Sequence, residues 1–107
     1  MVDRESGPIH PGHPGVILAE HVLPELGMNA NQIGEALGVP VNRISEILRG
    51  RRSITADTAL RLGRWLGSSP QFWMNLQRSF DLEVAELEHG EEITRRVKPL
   101  DDLDAAA

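Results

Sequence analysis

Residues 29–50, NANQIGEALGVPVNRISEILRG, decide the fold. Asn29 is a strong N-cap, and Ile33, Ala36 and Leu37 form one apolar stripe that stops at Gly38, a residue suited to the left-handed position that ends a helix. The spacing predicts a helix over 30–37. Pro40 suits the first position of a second helix, whose Ile44, Ile47 and Leu48 recur at i, i+3 and i+4 up to Gly50, so a helix over 40–49 is expected. Only Gly38 and Val39 separate the two, and so short a connection forces a sharp angle between them. That is helix-turn-helix geometry.

With Ile44, Ile47 and Leu48 turned inward, Val41, Asn42, Arg43, Ser45, Glu46 and Arg49 fall on the outer or flanking faces of the second helix. These residue types match base edges. Asparagine pairs bidentately with adenine and arginine with guanine, glutamate accepts from cytosine N4, and valine meets a thymine methyl. Arg51 and Arg52 follow the helix in a loop, where they fit phosphate contacts that position a protein without reading sequence. The charge distribution agrees: residues 42–64 hold six arginines against Glu46 and Asp57, a net +4 on a chain of net −5, leaving −9 on the remainder. The same bend also joins short helices in ordinary bundles, and a charge run is often only a solvated face. Spacing and charge therefore leave both a DNA-binding protein and a protein-interaction module open.

Outward from this centre the pattern stays helical. Pro14 opens an expected first helix over 14–23, with Val16, Ile17, Ala19, Val22 and Leu23 apolar, until Pro24 stops or kinks it. Thr55 caps a fourth helix with Asp57 in its first turn and Ala59, Leu62 and Leu66 along one face to Gly67. Ser69 and Pro70 open a fifth, with Phe72 or Trp73, Leu76 and Phe80 inward, continuing past Val84 and Leu87 to Gly90. Residues 93–97 carry the only strand character in the chain. The expected organisation is a flexible Gly-Pro-rich segment over 1–12, a globular domain over 13–90 and an acidic tail over 91–107. The fold class is all-α, with five helices and a short C-terminal strand.

At 107 residues and 40% hydrophobic, the chain is long enough for one core without disulfide or metal staples. With no tyrosine, two phenylalanines and two tryptophans, that core must be aliphatic. The absence of cysteine excludes disulfides, thiolate metal sites and a cysteine nucleophile. No apolar run reaches the roughly 18–20 residues that span a bilayer, and no secretory h-region opens the chain. A cytoplasmic protein without a membrane partner is expected. His10 and His13 lack a third ligand in register, and the serines lack a histidine partner. No metal, cofactor or catalytic residue is expected, so an enzyme is not.

The stretch from His13 to Leu82 resembles the HigA antitoxin family, within the lambda-repressor-like, xenobiotic-response-element (XRE) class of helix-turn-helix proteins. The resemblance rests on His13-Pro14-Gly15 opening an apolar helix and on Gly38-Val39-Pro40 followed by Asn42-Arg43-Ile44. Two further blocks are the more specific: Gly50-Arg51-Arg52-Ser53-Ile54-Thr55 with Asp57-Thr58-Ala59-Leu60-Arg61-Leu62, and Ser69 through Gln77, SPQFWMNLQ. The chain departs from the wider class at Ala30, where glutamine is common, and at Gly34, where alanine is common. The second departure weakens an isolated helix by about 1 kcal/mol.

The resemblance implies a five-helix antitoxin that binds double-stranded operator DNA, represses its own operon and neutralises a HigB-type messenger-RNA-cutting toxin by direct contact. The alternative is a stand-alone transcriptional regulator with no toxin partner. A homodimer is expected, because one helix-turn-helix reads few base pairs and two read half-sites a DNA turn apart. Leu76, Phe80 and Val84 of helix five, with a paired strand over 93–97, are its candidate interface. A toxin that approaches RNA needs a basic surface, which the −9 outside the arginine segment complements.

Overall fold

A computed structural model describes residues 12–101 of the chain. The expected flexible opening up to residue 11, with His10, and the tail beyond residue 101 lie outside the described residues. Among the described residues there are five helices and no strand: α1 over 14–26, α2 Ala30–Leu37, α3 Val41–Leu48, α4 Ala56–Leu66 and α5 Pro70–Arg96.

The first helix is capped by His13, whose Nδ1 accepts the Gly15 N–H at 2.9 Å, with Pro14 following where its missing N–H costs nothing. Contrary to expectation it does not stop at Pro24 but continues to Leu26, ending on Gly27 at φ 63°. The physical reason lies one turn earlier. A proline ring clashes with the carbonyl four residues back, but Leu18–Val22 is a widened π-helical turn in which Leu23 N–H reaches the Leu18 carbonyl. Glycine at position 15 is required for packing, because a Cβ there would collide with the carbonyl oxygen of Ile47 in α3.

Asn29 and Gln32 form a reciprocal capping box at the start of α2, each side chain accepting the other residue's N–H at 2.9 Å. Gly38 takes the left-handed conformation that its position predicts, at φ 73°. Gly34, unfavourable in an isolated helix, faces the turn so closely that a Cβ would sit 3.0 Å from the Val39 carbonyl oxygen and 3.4 Å from the Val41 Cα. Its absent side chain lets α2 and α3 approach. Pro40 is the N-cap of α3 rather than its first residue, so that helix starts one position later than expected.

Thr55 and Ser69 cap α4 and α5 as their positions predict. The expected strand over 93–97 is absent: α5 runs on through Gly90 to Arg96, with Val97 as its C-cap, so the expected boundary between residues 90 and 91 falls inside a helix. A short strand needs a partner, whereas helix here gains a Glu92–Arg96 pair at 3.5 Å and a Thr94 hydroxyl bond to the Gly90 carbonyl at 2.9 Å.

The core is aliphatic around one tryptophan. Leu18, Ile33, Leu37, Ile44, Ile47, Ile54, Ala59, Leu62 and Trp73 are buried together, drawing on all five helices and the α3–α4 loop. Each large aliphatic side chain contributes about 1.5–3 kcal/mol by leaving water. Trp73 is 2% exposed and Phe72, its neighbour, 47%, which decides between them as the inward aromatic. Three polar side chains, His13, Thr58 and Gln77, are buried with it among the described residues. Gln77 accepts the Ile54 N–H at 2.7 Å and donates to Asp81 at 2.9 Å and to the Ser53 hydroxyl at 3.3 Å.

Candidate nucleic-acid interface

The α2–α3 pair with its Gly38-Val39-Pro40 turn buries Ile44 and Ile47 and leaves the start of α3 outward. Val41, Asn42 and Arg49 are exposed, as are Arg51 and Arg52 in the following loop, while Arg43, Ser45 and Glu46 are half-buried. All eight expected contact residues thus keep solvent access, and helix α3 and its loop bring them into one region. The Ser45 hydroxyl donates to the Asn42 carbonyl at 3.4 Å, a bond inside the first turn of α3.

Ion pairs within the protein hold several of these side chains, which the sequence did not reveal. Arg43 Nη1 lies 2.7 Å from Asp57 Oδ2 in α4, and the same oxygen takes Arg61 Nε at 2.9 Å. Arg61 Nη1 also donates to the Leu37 carbonyl at 2.8 Å, closing over the end of α2. The Arg61 guanidinium, then that of Arg43, hold the Asp57 carboxyl below the usual carboxylate range. Arg52 pairs with Glu46. A cleft of about 320 Å³ lies at the start of α4, lined by Arg43, Arg52, Thr55, Asp57 and Arg61 among others.

Two positioning residues were not singled out from the sequence. Gln77 pins the loop that carries Arg51 and Arg52 to α5, and Arg61 clamps the turn between α2 and α3. A polar residue four positions after buried Trp73 on the inner face of α5 was the available signal for the first. His13, read as a helix-entry residue, is the buried cap of α1, and its ring meets Phe80 edge to face at 4.8 Å between centroids.

The expected interface residues of α5 are all half-buried: Leu76 packs on the core, Phe80 on His13, and Val84 one turn further on. Between and beyond them the helix carries exposed Leu82, Leu87 and Ile93, with Val97 just after its end. Among the described residues no three histidine, aspartate or glutamate side chains group as a metal site. No helix there is long and apolar enough to cross a membrane.

A helix-turn-helix family model (HTH_3) matches residues 19–73, centred on α2 and α3. The chain is 50% identical over 74 residues to virulence-associated protein I of Dichelobacter nodosus, covering 69% of this chain and 68% of that protein. It superposes on an addiction-module antidote protein of the HigA family from Coxiella burnetii at 47% identity and TM-score 0.80, over 85% of this chain and 99% of the other. This chain belongs to the HigA family of helix-turn-helix antitoxins. Pseudomonas aeruginosa HigA, solved with the higBA promoter, is 40% identical at TM-score 0.82, over 85% of this chain and 99% of its own. The HigA family consists of binding proteins and regulators rather than enzymes, which agrees with the lack of a catalytic set in the sequence. The likeness to these structures covers 85% of the chain, more than the span of residues 19–73.

Proposed function

We propose that this HigA-family protein binds double-stranded operator DNA as a homodimer, represses its own operon and neutralises a HigB-type toxin by direct contact in the cytoplasm. The observation that carries the reading is the grouping of Val41, Asn42 and Arg49 with the anchored Arg51-Arg52 loop on one exposed region beside the arginine-lined cleft. The promoter-bound structure of a HigA protein that shares 40% of its residues supports it.

In this reading Asn42 and Arg43 contact base edges and Val41 a thymine methyl, with Ser45 and Glu46 at the groove margin. Arg49, Arg51 and Arg52 contact phosphates. Helix α5 carries the dimer contact through Leu76, Phe80 and Val84 and the exposed apolar residues beyond them. The acidic remainder of the molecule meets the basic toxin. The test is co-expression with the protein of an adjacent reading frame, combined with a mobility shift on the DNA upstream of the gene. Copurification with relief of toxicity supports the antitoxin reading, DNA binding alone leaves a stand-alone regulator, and neither result defeats both.

A further inference from the structure

Asp57 places a negative charge on the face proposed to meet a polyanion. Its Oδ2 takes Arg43 at 2.7 Å and Arg61 at 2.9 Å, and Arg61 passes the connection on to the Leu37 and Gly38 carbonyls at 2.8 and 3.4 Å. One exposed carboxylate therefore joins the start of α4, the first turn of α3 and the turn between α2 and α3. Arginine carries five N–H donors in a rigid planar fork, so a group held by one edge retains others for a ligand.

An arginine free to swing binds any phosphate within reach, and phosphates are the same in every sequence. An arginine held by a carboxylate is drawn to DNA less by charge alone and more where a base edge offers fitting acceptors. We propose that Asp57 is a specificity-determining positioning residue that orients Arg43 for base contact and withholds Arg43 and Arg61 from the phosphates of non-operator DNA. The inference rests on the DNA-binding reading above. The carboxylate acts through the two arginines and needs no contact with DNA of its own.

The test uses the full chain and two duplexes, one selected by the wild-type protein from a random library and one of the same composition shuffled. Asp57→Asn keeps the shape and removes the charge. It is expected to tighten binding to the shuffled duplex about 3- to 10-fold and to steepen the salt slope there by about one, as a released arginine finds a phosphate. Discrimination between the duplexes should fall about 10-fold, and Asp57→Glu should restore part of it. Asp57→Ser, which suits the first turn of a helix, gives the same test should asparagine not fold, with thermal melting to confirm the fold. Equal changes on both duplexes, an unchanged salt slope, or failure of both variants to fold would reduce Asp57 to a structural role and overturn the inference. Absence of sequence selection by the wild-type protein would instead defeat the DNA-binding reading itself.

Discussion

Gln77 Oε1 accepts the backbone N–H of Ile54 at 2.7 Å, so a side chain of α5 holds the loop between α3 and α4 from inside the core. Ile54 is itself buried, which makes this amide costly to leave unpaired. The bond links the stability of the domain to the placement of Arg51 and Arg52, two and three residues upstream.

Gln77→Leu is expected to lower folding stability by about 1–3 kcal/mol, the cost of one orphaned buried donor. It should also weaken binding to every DNA sequence alike, because the loop it frees carries proposed phosphate contacts. Urea denaturation with parallel titrations on two duplexes checks both parts.

Gly15→Ala places a methyl group against the Ile47 carbonyl, a backbone atom that cannot turn aside. The α1–α3 contact must open, at a cost of about 1–3 kcal/mol or more. For a domain of this size each kcal/mol lowers Tm by about 4–8 °C, so a thermal melt resolves the effect. An unchanged melt would show that α1 does not press on α3 as described.

Asn42→Ala should cost about 1–3 kcal/mol on the preferred duplex and relax selection at one base pair. Arg51→Ala should weaken all sequences to the same degree and flatten the salt slope by about one. Selection from a randomised library and titrations at several salt concentrations separate the two. Identical profiles would mean that α3 is not the reading helix.

Asp57 gives a pH signature with a definite sign. A carboxyl whose folded pKa lies below its unfolded value contributes stability that is present above the unfolded value and is lost as pH falls through the folded one. The ordinary value is 3.8, and Arg61 and Arg43 lower it in the folded protein. Melting temperatures of wild type and Asp57→Asn should therefore differ by a constant amount between about pH 5 and 8 and converge only in strong acid.

A dimer is expected by sedimentation at about tens of micromolar, with Val84→Arg giving a monomer of unchanged helix content. A monomeric wild-type protein would remove α5 from the proposed interface.

The caps make the helical order legible in the sequence. Asn29, Thr55 and Ser69-Pro70 start helices where their chemistry predicts, and Gly38 and Gly67 end them. Pro24 does not end its helix, because the π turn that accommodates it precedes it in the chain and carries no composition signal of its own. Residues 93–97 favour a strand locally through β-branched Ile93, Thr94 and Val97, yet the helix running in from Gly90 continues through Arg96. The outward residues of α3 were legible from Ile44 and Ile47, since fixing the inner face fixes the outer one. The pairing of Asp57 with Arg43 was not, because it spans two helices whose crossing no local pattern encodes, and within α4 alone Asp57 reads as a carboxylate at the dipole's positive end with Arg61 four residues on.

The most direct measurement is an equilibrium titration of the wild-type protein on the DNA immediately upstream of its gene, at two salt concentrations and against a shuffled duplex. The account predicts saturable binding to a pseudo-palindrome with half-sites centred about 34–36 Å apart or a multiple of it, weakening as salt rises and far tighter than on the shuffled sequence. Equal affinity for both duplexes, or no binding to either, would contradict it.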